Sequence, residues 1–532
     1  MTRDLTGPLS RREMLQAAGG VTFLALLPVG RGLFALPSHY DPTPEPRILF
    51  TAAPYIQPGP AGSRLIDGSE SVIVAWQTDD RAAEFVVDYG LTTRYGRHAQ
   101  IQTMRRGAAA KSETDGRRNY AATLAGLKLD TTYHYRVRLA GTPGRVIAEG
   151  YCTTRKGRGQ AIRFVAFGDN SYGEVGQRAV AYWAYRARPD FVMNTGDNVY
   201  ESGLDNEYQR YFFPVYNADV ASPGVGAPLL RSVPFYSVMA NHDVHGKGPD
   251  GHAAADFDAN GDALAYFTNL YLPLNGPVAP PQPTPTVGAP AKVGDFQQCA
   301  GERFPRMGNY SFDYGDAHFL CLDSNTYVDP TDPGWKAYIE ADLSGTDARW
   351  KFVVYHHPAF NVGLEHYNEQ HMRVLSPLFE AHGVDFVLHG HEHNYQRTRP
   401  LRFEPAGPGG AGHVGGKDRL VPGTFHVDTR FDGRTATRPD GVQYITTGAG
   451  GKHLYETDFT DAPDRWLRDE DGRVAYVARM VSDRHSFTTF DIEHESLVMT
   501  QTDQWGREID RIEVNKGVTA TAASARHAAG QK

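Results

Sequence analysis

An α/β layered domain preceded by a small all-β sandwich is the fold class that this 532-residue sequence predicts. Three observations carry the prediction. Residues 49–156 read as short strands with partial period-two alternation. From Ile162 onward, apolar strand-like runs alternate with helical patterns, as in layered domains whose strands are buried on both faces. Short segments rich in Asp, Asn and His stand just past the ends of those runs, where open α/β sheets place their sites.

In the first region the strand candidates are 71–76, 84–89 and 132–138, punctuated by Gly90 and Gly126. About one hundred residues of this texture suggest a sandwich over 49–156. In the second region, 157–516, the apolar runs are 162–167, 190–195, 235–240, 318–322, 351–355, 385–389 and 442–447. Helices are expected over 174–188 and 369–382, the second ending at Gly383 as a C-cap would. The Pro- and Gly-rich stretch 246–309 reads as an insertion, an ordered loop with flexible parts.

The two ends have their own chemistry. Ser10-Arg11-Arg12-Glu13-Met14-Leu15 followed by the small, apolar run Ala17–Val29 is the layout of a twin-arginine signal peptide, read as residues 1–36. That route exports folded proteins, to a periplasmic, cell-surface or secreted location. Residues 37–48 are Pro-rich and read as a linker, and 517–532 as an Ala/Gly/Ser-rich disordered tail. No run is long enough to be a clear transmembrane helix. A net charge of −8 argues against nucleic acid as an obligate partner. Three cysteines, Cys152, Cys299 and Cys321, are no disulfide scaffold; one bridge is compatible with them, and Cys321 reads as a buried small apolar residue.

Five polar segments fit together as one metal site: Gly168-Asp169-Asn170, Gly196-Asp197-Asn198-Val199-Tyr200, Asn241-His242-Asp243, His356-His357-Pro358 and Gly390-His391-Glu392-His393. They supply carboxylate, amide, phenol and imidazole donors, the ligand types of hard and borderline metals. Two-metal phosphoester hydrolysis needs a bridging carboxylate between ions roughly 3.5–4 Å apart. Asp197, on a tight turn after an apolar strand, is the natural bridge. Asp169 would bind one ion. His391 and His393, two apart, are expected to project to one side from extended backbone, and His357 away from the site.

These segments resemble those of the purple acid phosphatases, within the calcineurin-like metallophosphoesterase superfamily. The resemblance covers nearly the whole chain after residue 36, including Asn309–Phe319, and 49–156 resembles the family's fibronectin-III-like domain. It implies a catalytic domain of two packed mixed β-sheets flanked by helices. It also implies an Fe(III) site of Asp169, Asp197, Tyr200 and His393 and a divalent site (Zn, Fe or Mn) of Asp197, Asn241, His356 and His391. His242 and His366 stand where the family's phosphate-contacting histidines stand, His366 being placed only by its distance after His356. Where the wider superfamily often carries a His two residues after the first Asp, this chain has Ser171; Tyr200 offers a hard phenolate instead, which favours Fe(III).

The activity implied is hydrolysis of small phosphate monoesters by in-line attack of metal-bound hydroxide, with His242 and His366 stabilising or protonating. A phosphodiesterase or nucleotide hydrolase on the same site is the alternative. Two other features are discounted. Asp256-Phe-Asp258-Ala-Asn260-Gly261 opens like a calcium loop, but Phe267 stands where a bidentate Glu is required. Gly448-Ala-Gly-Gly451 reads as a turn near the site rather than a phosphate cradle.

Overall fold

The structure, a computed structural model, describes residues 50–62, 64–105, 117–141, 145–244, 246, 253–406, 419–467 and 475–517. The twin-arginine segment, the linker and residues 518–532 of the tail lie outside the described residues.

Two four-stranded antiparallel sheets make up the N-terminal region. One runs in the order Phe50–Gln57, Glu70–Asp79, Arg117–Leu127, Gln100–Arg105; the other Arg97–His98, Phe85–Gly90, Thr132–Leu139, Val146–Thr153. Alternate apolar positions meet between them: Ile56, Val72, Val74 and Trp76 from one sheet, Val87, Tyr135 and Val137 from the other. Trp76 stacks on Tyr120 at 5.3 Å and meets the edge of Phe85 at the same distance, ring geometries that add to the area buried.

The larger region is built on two mixed sheets. The first has the order Phe235–Ser237, Phe191–Asn194, Ile162–Phe167, Ser486–Glu493, Ser496–Asp503, Glu508–Asn515, parallel across its first three strands. The second runs Tyr310–Tyr314, Ala317–Cys321, Trp350–Val354, Phe386–His389, Gln443–Thr447, Tyr395–Thr398, Val477–Val481, with a parallel centre. Aromatic side chains fill the space between the sheets. Phe164 of the first touches Phe319 at 5.2 Å and Phe352 at 5.3 Å of the second, edge to face. The apolar runs are therefore continuous because each strand is covered on both faces.

Helices flank this pair. Val175–Arg186 is the helix expected over 174–188. The single helix expected over 369–382 is instead a 3-10 segment, His371–Leu375, followed by the short α-helix Ser376–Ala381. Pro377 lacks an N–H and is accommodated in the first turn of a new helix rather than inside an old one. Gly383 does adopt the positive φ, 67°, of a residue past a helix end. The stretch 246–309, where described, holds the helices Tyr266–Asn269 and Pro290–Ala300 and buries Phe257, Tyr266, Phe267 and Phe296 in the main core. All three cysteines are buried and free.

Candidate metal centre

The expected ligands converge on the carboxyl ends of the central strands. Asp169 follows Ile162–Phe167, Asp197 follows Phe191–Asn194, His356 follows Trp350–Val354 and His391 follows Phe386–His389. Asp169, Asp197 and His391 all adopt left-handed backbone, with φ of 54°, 48° and 69°. Non-glycine residues there carry local strain, which clusters at functional sites. Close approach explains two neighbouring glycines. A Cβ on Gly390 would stand 2.3 Å from Asp169 Oδ2, and one on Gly196 2.7 Å from His356 Nδ1.

Asp169 and Asp197 are buried, and among the described residues no Lys or Arg pairs with either carboxylate. Tyr200 Oη donates to Asp169 Oδ1 over 3.1 Å and lies 3.2 Å from His393 Nε2. His356 Nε2 is 3.4 Å from Asp197 Oδ2 and 3.9 Å from Asp169 Oδ1. Ligand atoms of Asp197, His356 and His391 all lie within 4.8 Å of one another. Asn241 Oδ1 and His356 Nε2 are buried with no hydrogen-bond partner. Buried polar atoms left without partners are costly, and this donor set fits a pair of cations.

Each of the three imidazoles is fixed through its other nitrogen. His356 Nδ1 donates to the carbonyl of Thr195 over 2.9 Å, His393 Nδ1 to that of His453 over 2.7 Å, and His391 Nε2 to Glu369 Oε2 over 3.2 Å. Such donors set the tautomer and aim a lone pair from the remaining nitrogen, the arrangement typical of metal-binding histidines.

The electrostatics follow from burial. It pushes the Asp169 carboxyl up to about 8, against the pull of His356 and with Asp197 pushing further. Burial would raise Asp197 too, but His356, His242 and His391 outweigh it and hold Asp197 well below the carboxylate range. Burial, then the charge of His366, brings His391 down to about 3, and burial holds His393 far below the usual range, so both are neutral donors. Burial, Asp169 and Asp197 together lift the Tyr200 hydroxyl far above its ordinary value. Only a strong Lewis acid at its oxygen would make it a phenolate here.

His242 and His366 flank this cluster. The His242 ring packs 4.5 Å from Tyr200, its Nδ1 donates to the Glu201 carbonyl over 2.7 Å, and its backbone N–H donates to Asp197 Oδ1 over 3.0 Å. His366 lies 3.8 Å, ring to ring, from His391 and 3.2 Å from Glu369 Oε1 through Nδ1. Ser171 spends its hydroxyl on Asn170 Nδ2 and Gln177 Nε2.

Two expectations about direction are corrected. His391 and His393 lie on tight turns, Glu392 N to Gly390 O and Asn394 N to Glu392 O, not on extended backbone, yet both reach the cluster. His357 does not project away: its ring is 4.4 Å from His391 and its Nδ1 is 2.9 Å from Ser324 Oγ. The strand has ended at Val354, so two-residue alternation no longer applies.

The discounted features resolve simply. Asp256 accepts from the N–H groups of Asp258 and Ala259, and Asp258 pairs with Lys292. The N–H groups of Gly448, Gly450 and Lys452 bond to the carbonyls of Asn394, Gly168 and Asp169, so that turn is no phosphate cradle. Sequence reasoning missed Glu369, Glu201, Lys452 and Tyr455, whose ring stacks 4.0 Å from His393. The nearest available signal was Glu369, three residues past His366.

Comparison with known proteins is consistent with this geometry. Residues 162–395 match the calcineurin-like phosphoesterase family and residues 65–151 the purple acid phosphatase N-terminal domain. Purple acid phosphatase 17 of Arabidopsis thaliana is 26% identical over 265 residues, 47% of this chain and 68% of the relative. An uncharacterized protein of Mycobacterium tuberculosis is 25% identical over 486 residues, 83% of this chain and 78% of the relative. Among solved structures, a purple acid phosphatase from yellow lupin (Lupinus luteus) seeds superposes with a TM-score of 0.60 at 17% identity, covering 87% of this chain and 74% of that one. The structure of PhoD does so with a TM-score of 0.50 at 13% identity, covering 87% and 93%.

Proposed function

We propose that this chain, a purple acid phosphatase-like member of the calcineurin-like metallophosphoesterases, hydrolyses small phosphate monoesters after export from the cytoplasm. Similarity to these families supports a metal-dependent phosphatase; the finer reading rests on the residues. Asp169, Asp197, Tyr200 and His393 would hold Fe(III), and Asp197, Asn241, His356 and His391 a divalent ion, Zn, Fe or Mn. The observation that carries this is Tyr200 Oη, held between Asp169 Oδ1 at 3.1 Å and His393 Nε2 at 3.2 Å. A buried phenol beside a buried carboxylate is a donor set for a hard trivalent cation. When bound, such a pair supplies Lewis-acid charge and lowers the pKa of water.

The chain's own residues then divide the work. Asp197 would be shared by the two cations, and its Oδ1 is steadied by the His242 N–H. His242, part-exposed beside Tyr200, stabilises charge on the phosphoryl group. His366, held by Glu369, would protonate the leaving alkoxide. The pairing of these two imidazoles suits a group whose negative charge sits on the phosphoryl oxygens and develops on the leaving alcohol oxygen.

The test compares turnover of aryl phosphate monoester and diester by the metal-loaded protein. Monoester preference is expected. A diester preference would transfer the site to the alternative, phosphodiester or nucleotide hydrolysis.

A further inference from the structure

Lys452 follows the Gly448–Gly451 turn, and its side chain is only 5% exposed. A buried lysine needs partners, and its partners here belong to the candidate site. Its backbone N–H donates to the carbonyl of Asp169 over 2.8 Å. Its Nζ stands 3.4 Å from the ring centroid of Tyr172 and 4.4 Å from that of Tyr200, within cation–π range of both. The same Nζ donates to Glu201 Oε1. Glu201 in turn accepts from His242 Nδ1 through its carbonyl at 2.7 Å, with Oε2 3.8 Å from that nitrogen. Tyr200 and His242 pack ring to ring at 4.5 Å.

One ammonium therefore touches the ring of Tyr200 on one side and fixes the residue that anchors His242 on the other. The Glu201 side chain is 52% exposed, and among the described residues Lys452 is the only Lys or Arg paired with it. We propose that Lys452 is a positioning residue that sets the His242 ring against Tyr200 through its contacts with the Tyr200 ring and Glu201. The proposal rests on the phosphatase reading only for its kinetic consequence; the geometry stands apart from it.

Lys452→Met keeps the length of the stem and removes the charge, while Lys452→Arg keeps a cation. Two measurements are made on the full chain. In the first, kcat of the Met variant is expected to fall about tenfold with KM changed less than about threefold, metal content unchanged and the Arg variant recovering most of the loss. In the second, the His242 ring resonances, assigned with His242→Asn, are expected to shift in Lys452→Met and return in Lys452→Arg. Glu201→Ala removes the acceptor of the same link from its exposed side, so it serves if Lys452→Met fails to fold; the same His242 shift is expected. Wild-type kcat in Lys452→Met, or His242 resonances unmoved in the foldable variants, would overturn the proposal. So would loss of metal together with kcat, which would make Lys452 a support of the ligands alone. A wild-type protein inactive on all phosphate esters would remove the functional reading and leave the resonance shifts to decide Lys452.

Discussion

His391 Nε2 donates to Glu369 Oε2 over 3.2 Å while the other oxygen of that carboxylate lies 3.2 Å from His366 Nδ1. One buried side chain thus orients both a candidate metal ligand and a candidate proton donor. It fixes the His391 lone pair on Nδ1, with the His366 and His391 ring centroids 3.8 Å apart. Glu369→Gln is expected to weaken retention of the divalent metal by about 10–100-fold, the usual cost of losing a carboxylate behind a metal-bound histidine. Metal titration of the purified variant reads this directly, and unchanged affinity would make the contact incidental.

Asp197 is buried among His356, His242 and His391 and is the carboxylate shared by both proposed sites. Asp197→Asn removes a charge between two cations, so activity should fall at least about 10²-fold with loss of metal. Metal analysis alongside turnover separates this from misfolding. Near-normal activity with both ions retained would remove Asp197 as the bridge.

Away from the site, His318 is clamped by Asp313 at Nδ1 and Asp342 at Nε2, both 2.7 Å. Burial works against its charge, but the two carboxylates more than offset this and lift it to about 9 from 6.5. A raised pKa gives stability that is complete below the unfolded value, near 6.5, and is lost as pH rises through about 9. The contribution is on the order of 3 kcal/mol. Thermal unfolding of the wild type should therefore drop between pH 7 and 10 more steeply than that of His318→Gln. Parallel pH profiles for the two would contradict the clamp.

The twin-arginine pair leads to a prediction about location. Replacing Arg11 and Arg12 together with Lys is expected to hold the protein in the cytoplasm, as fractionation and immunoblotting would show. Normal external levels of the double variant would refute the export reading.

Much of the candidate site was legible because its proposed ligands follow strand ends, and strands buried on both faces announce themselves as apolar runs. Asp169, Asp197, His356 and His391 could be read in this way. The positions that escaped are those whose role depends on turns. His357 approaches His391 because the chain bends after Val354, which period-two reasoning does not describe. The helix expected over 369–382 broke because Pro377 starts a new one, which the C-cap reading of Gly383 did not take into account. Glu369 and Lys452 carry no motif of their own. Their contacts arise from tertiary packing of a loop and a glycine turn against the ligand strands. The two-sheet architecture came from resemblance, since apolar runs alone do not say which strands share a sheet.

The central claim is that Tyr200 binds a ferric ion beside Asp169 and His393. The measurement that tests it most directly is the visible absorption spectrum of the purified native protein, taken with its metal content and repeated for Tyr200→Phe. Phenolate-to-Fe(III) charge transfer should give the native protein a visible band, with iron and a second metal bound. Tyr200→Phe should lose the band and release iron more readily, whereas His356→Ala should disturb the second metal and leave the band in place. A colourless, fully active native enzyme holding only divalent metals would contradict the claim.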